Sequence, residues 1–195
     1  KLRIEKEINL QDIVVGYHSL LLVSSYEIES IDEKMYFLDQ LYKQPSQEKS
    51  KQQSTHWEIP VCYDKQFGID LEFIEKTNKI TVEEIIQFHT APKYTVYFVG
   101  FLPGFLYLGG LNERIAVPRK STPRLKVPKG AVAIGGNQTG IYPNESAGGW
   151  NIIGNSPISF FDLGKETPCF AKSGDTISFT SISLEEYKRL ENQNL

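Results

Sequence analysis

Between Tyr97 and Trp150 the chain contains YFVGFLPGFLYLGGL, VPRKSTPRLKVPKG and AIGGNQTGIYPNESAGGW, a density of glycine and proline that an ordinary strand-and-loop segment does not need. Proline fixes φ and removes a donor, while glycine serves where φ must be positive or another group must come very close. Such a segment specifies a tightly built backbone. The short apolar runs that it and its flanks contain, YTVYFVGF, AVAIGG, NIIG, ISFFDL and TISFTSI, are set off by Gly and Pro turns. That spacing predicts a closed or nearly closed β-barrel rather than alternating βα units. Arginines and aromatics held in such a frame point to a preformed groove with a few polar groups aimed inward.

At 195 residues and 40% hydrophobic content, the chain has room for one or two compact domains with a real core. Its formal charge of −3 argues against a polyanion-binding surface, so nucleic acid is not an expected partner. The most apolar run, Ile13 to Val23, is interrupted by Gly16, His18 and Ser19 and is too short for a bilayer, which takes about 20 apolar residues. Neither a membrane partner nor a signal peptide is expected. Cys62 and Cys169 lie far apart without a CxxC spacing, which suits free thiols and a cytoplasmic location. The chain opens on Lys1 without Met, as if part-way through an element, and a preceding segment is expected in the native protein.

Ile13 to Val23 reads as a buried strand. A helix is expected over Ser30 to Tyr42, with Ile31, Met35, Leu38 and Leu41 or Tyr42 on one face and Ser30 or Asp32 as cap. These make a small α+β unit over residues 1–44. The string QPSQEKSKQQST from Gln44 to Thr55 has no apolar residue and reads as a solvated linker, placed at 45–55, with a barrel domain over 56–195. Trp57 to Tyr63 reads as a strand and Asp70 to Thr77 as a short helix or turn. Thr81-Val82-Glu83-Glu84 reads as a helix start running to His89, and Leu184 to Asn194 as a final helix.

No HExxH, GxSxG or Walker pattern is present, and IGGNQTG and AGGW suit tight barrel turns better than phosphate cradles. Arg119 and Arg124 project from a loop stiffened by Pro123. Their planar donor forks suit a carboxylate or phosphate, or alternatively tie the loop down by pairing with acidic groups. His89 is either a base near neutral pKa or a hydrogen-bonded structural histidine. Gln138, Tyr142 and Trp150 put an amide, a phenol and an indole on one hairpin, useful for an amide-bearing ring or a peptide, although the two aromatics also suit a core.

The strings GFLPGFLYLGGL, PRKSTPRLKVPKGAVAIGGNQTGIYP and GGWNIIGNSP resemble the family called allophanate hydrolase subunit 1, the B-type subunits built on a carboxyltransferase domain. The resemblance extends over essentially the whole chain, including IPVCYD at Ile59 to Asp64 and Asp70-Leu71. It implies an α+β fold, a small N-terminal α+β domain followed by a cyclophilin-like β-barrel. It also implies partners: a homologous C-type subunit and an A-type lactam-hydrolysing subunit, together using ATP to open 5-oxoproline to glutamate. Other members inhibit a sensor histidine kinase or form part of the carboxyltransferase region of urea degradation, so those activities stand as alternatives. Prolyl isomerisation is suggested by fold analogy alone. Carried onto this chain, the resemblance implies His89, Arg119 and Arg124 as catalytic and Gln138 and Tyr142 as substrate-binding. One of the arginines would hold a carboxylate or phosphate, Gln138 and Tyr142 would bond an amide, and His89 would orient substrate or move a proton. Ala147 and Asn155-Ser156 depart from the family pattern, where a proline and an Arg-Thr pair are common.

Overall fold

The computed structural model describes residues 10–44 and 54–193, and backbone packing divides the chain into two units, Lys1–Gln53 and Ser54–Leu195. The linker expected at 45–55 lies outside the described residues apart from Ser54 and Thr55. In the first unit β1 (Leu10–Val15) pairs antiparallel with β2 (Leu20–Ser24) across a turn in which Gly16 N–H donates to the Ser19 carbonyl at 2.9 Å. The run from Ile13 to Val23 is therefore a hairpin and not one buried strand, and only Ile13 within it is buried. A two-stranded ribbon has too few neighbours to bury both faces. The helix α1 (Ile31–Lys43) starts where Ser30 Oγ accepts from Glu33 N–H, and its Ile31, Met35 and Leu38 share an apolar cleft with Leu20 and Leu22.

The second unit contains β3 (His56–Cys62), β4 (Tyr94–Val99), β5 (Leu106–Gly109), β6 (Arg124–Val127), β7 (Ala131–Gly135), β8 (Gln138–Ile141), β9 (Ser146–Gly148), β10 (Asn151–Asn155) and β11 (Thr176–Ile182). Seven of these close into a barrel in the order β10-β3-β11-β4-β5-β8-β7, while β6 and β9 form a separate ladder. Strands β3 and β11 run parallel, from His56 beside Thr176 to Cys62 beside Ile182. The remaining barrel pairs are antiparallel.

Side chains alternate across the barrel wall, as the pleat requires. Val61, Val96, Leu106, Leu108, Val132, Ile134, Ile141 and Ile177 fill the interior, each with no exposed surface. On the outer face Phe105, Val127, Ala131, Ala133, Tyr142, Trp150 and Ile152 form a second cluster, with Tyr107 packed against it. Burial on both faces is why AVAIG, and IIG within NIIGN, are continuous apolar runs without alternation. The run ISFFDL instead makes a single bridge, Phe161 with Cys169. The string IGGNQTG is the β7–β8 hairpin, its two-residue turn set by Gly136 at φ +65°.

Three helices complete the unit: α2 (Leu71–Asn78), α3 (Val82–Thr90) and α4 (Leu184–Gln193). Thr81 and Glu84 form a capping box at the expected helix start, that of α3. Packing of α3 on β11 carries Ile85 and His89 into the core. The whole is α+β, a small strand-and-helix unit ahead of a closed barrel. Among the described residues no helix is long and apolar enough to cross a membrane.

Candidate functional site

A groove of about 330 Å³, the scale of a small-molecule site, lies over the outer aromatic cluster. Trp150 lies flat on β7: a Cβ added to Gly135 would come within 2.6 Å of its indole ring. Phe105 meets Tyr142 edge to face at 4.9 Å and Trp150 at 5.6 Å, and Tyr107 meets Trp150 at 5.7 Å. These offset contacts suit the ring quadrupoles and fix the surface. Phe101, the residues Arg119, Lys120 and Pro123 of the loop before β6, and Ala147 to Gly149 also line the groove.

The two arginines, equivalent by residue type, have different surroundings. Arg124 donates from Nη2 to Asp70 Oδ1 at 2.7 Å, and Lys120 Nζ donates to the same oxygen at 3.0 Å. The other oxygen of Asp70 accepts from Ile152 N–H at 2.7 Å. Burial disfavours the Asp70 carboxylate, yet the bonds from Arg124, Ile152 and Lys120 outweigh that penalty and hold its pKa below the usual range. Arg119, by contrast, has no ion pair among the described residues, and its guanidinium carbon lies 5.3 Å from the centre of the Trp150 ring. The stacking holds the side chain in the groove while leaving its donor edge open. Burial raises the Tyr142 pKa, opposed in part by a hydrogen bond from the Trp150 backbone and then by the nearby Arg119 and Arg124 charges, so its hydroxyl keeps its proton.

His89, Arg124 and Gln138 are not among the groove walls. His89 has no exposed surface, stacks on Phe179 at 4.4 Å, and is enclosed by Tyr63 and Tyr94. Thr139 Oγ1 donates its one proton to the Ala133 carbonyl, so it must accept from His89 Nε2 at 2.9 Å. The neutral ring then accepts at Nδ1 from the Tyr63 hydroxyl, 2.7 Å away. Burial pushes the His89 pKa from 6.5 down to about 3. The geometry therefore places His89 in the barrel core, away from the groove. Gln138 opens β8 on the face opposite Thr139, and its Nε2 is buried without a hydrogen-bond partner.

Asp70 is the residue that sequence reasoning passed over. A carboxylate at a helix start reads as a local cap, and its true partners stand 50 and 54 residues away. Asn155, at one of the positions that depart from the family pattern, is a structural tie: it accepts from the Tyr187 hydroxyl of α4 and donates to the Lys129 carbonyl.

Fold and groove define the class, an α+β barrel domain that presents an unpaired arginine above an aromatic floor. The chain belongs to the carboxyltransferase domain, subdomain C and D, family, whose model matches residues 1–171. It is 39% identical over 183 residues to the B subunit of 5-oxoprolinase from Haemophilus influenzae, covering 94% of this chain and 84% of that protein. It is 48% identical over 130 residues to the corresponding 5-oxoprolinase subunit of Bacillus subtilis, covering 67% of this chain and about half, 54%, of that protein. The crystal structure of a conserved uncharacterised protein from Pyrococcus horikoshii matches with a TM-score of 0.67 at 43% identity, covering 95% of this chain and 86% of the other.

Proposed function

We propose that this chain is the B-type subunit of an ATP-dependent 5-oxoprolinase and that its groove holds the substrate. The observation that carries the reading is Arg119, an unpaired guanidinium stacked on Trp150 in a groove of small-molecule size. 5-Oxoproline is a five-membered lactam with one carboxylate. The carboxylate matches the planar fork of Arg119, the ring fits against the exposed Phe101, and the protonated Tyr142 hydroxyl is a donor for the lactam oxygen. Binding that oxygen more tightly as it gains negative charge favours opening of the amide. The names of the 5-oxoprolinase relatives point the same way.

ATP enters as the second substrate of the assembled complex. Among the described residues Arg119, Lys120 and Arg124 are opposed by Asp70 alone, and two of the three already share that carboxylate. This charge set suits a single carboxylate and a developing oxyanion better than a triphosphate. The chain therefore acts with a homologous C-type subunit and an A-type lactam-hydrolysing subunit, and the water that opens the ring is handled in the assembly.

The test is ATP-dependent release of glutamate from 5-oxoproline by the full-length protein, alone and with its A-type and C-type partners. Activity confined to the reconstituted mixture is expected. Absence of glutamate from a demonstrably assembled complex would overturn the reading in favour of a urea-derived amide substrate or regulation of a histidine kinase.

A further inference from the structure

We propose that Asp70 is a positioning residue for Arg119, a clamp that fixes the loop from Pro118 to Arg124 against β10. This inference rests on the groove being the substrate site only for its kinetic consequence; the clamp itself stands on geometry.

Asp70 occupies the N-cap position of α2, where an aspartate normally accepts from the first turn of its own helix. Here it makes no such bond. Its nearly buried carboxylate is directed instead to Lys120, Arg124 and the Ile152 N–H, while its own N–H donates to the Ile152 carbonyl at 2.9 Å. A local rule broken at a buried charge calls for a long-range reason, and here the charge ties three segments together. The loop is held at both sides of Arg119. The Pro118 carbonyl accepts from Asn151 Nδ2 at 2.9 Å, and Lys120 N–H donates to the Gly149 carbonyl at 2.7 Å. Of Arg119, Lys120 and Arg124, Arg119 alone is left without a carboxylate among the described residues. Without Asp70 the Lys120 and Arg124 charges would repel one another beside Arg119, and the loop would keep its ties to Asn151 and Gly149 but lose the one that joins Lys120 and Arg124 to β10 at Ile152.

The activity-independent readout is Trp150 fluorescence. Trp57→Phe leaves Trp150 as the sole tryptophan while preserving a ring against Phe170. In that background Asp70→Asn, which keeps an acceptor but removes the charge, is expected to raise acrylamide quenching of Trp150 several-fold while unfolding stays cooperative, and Asp70→Glu to restore much of the protection. Should Asp70→Asn fail to fold, Lys120→Gln and Arg124→Gln cut the same bonds from the partly exposed loop and are expected to raise quenching likewise. In the assembled complex Asp70→Asn is expected to raise KM for 5-oxoproline about tenfold, with a smaller effect on kcat. Raised quenching with unchanged KM would support the clamp and count against the groove as the substrate site. Unchanged quenching in every folded variant would overturn the clamp.

Discussion

His89, with both ring nitrogens engaged inside the barrel core, is placed to contribute to stability. His89→Ala leaves the Tyr63 hydroxyl and Thr139 without their partner and opens a cavity beside Phe179. The expected cost is about 3–5 kcal/mol, read from the denaturant midpoint at constant slope. The same residue makes stability depend on pH. Because the folded pKa is near 3 and the ordinary value is 6.5, the unfolded chain takes up the proton first as pH falls. Stability from this group is full above about pH 6.5 and is lost progressively towards pH 3. His89→Gln is expected to flatten the difference in unfolding midpoint between pH 7 and pH 4, whereas an unchanged difference would assign the dependence to carboxylates alone. From sequence His89 reads as either functional or structural, because its burial depends on strands 50 residues away. The arginines show the same limit. Loop stiffness and residue type were legible at Arg119 and Arg124, but only the fold reveals that Asp70 occupies one and leaves the other open.

At the scale of elements, local chemistry was the most readable layer. The capping box of α3 was written in Thr81 to Glu84, and Thr81→Ala is expected to cost about 1 kcal/mol in unfolding free energy. The β7–β8 turn contrasts two adjacent glycines. Gly136 faces open space but holds φ +65°, so Gly136→Ala is expected to cost about 1 kcal/mol without disturbing the groove. Gly135→Ala drives a methyl into the Trp150 ring and is expected to alter both the tryptophan fluorescence maximum and the near-ultraviolet dichroism. Equal spectra for the two variants would contradict the flat packing of Trp150 on β7. The β1–β2 hairpin was missed because its turn, Gly16 to Ser19, lacks the Asn-Gly or Asp-Gly signal and sits inside an apolar run.

For the whole molecule, the strand texture announced a barrel, yet its closure could not be read. The parallel β3–β11 pair joins positions 120 residues apart, such as His56 and Thr176, and nothing local encodes that register. The groove follows from closure: it lies where the outward faces of β5 and β7, with Tyr142 just after β8, are covered by the loop before β6 and by Trp150. The aromatics of this site were therefore visible as a composition, and their arrangement was not. The measurement that bears most directly on the groove as a carboxylate site is kcat/KM for 5-oxoproline in the reconstituted complex, wild type against Arg119→Gln. With no ion pair to lose among the described residues, Arg119 contributes only about 0.5–1 kcal/mol through its stacking on Trp150, and folding should survive. A fall of about a hundredfold in kcat/KM with an intact unfolding midpoint is expected; an unchanged kcat/KM would contradict the assignment of Arg119 to the substrate.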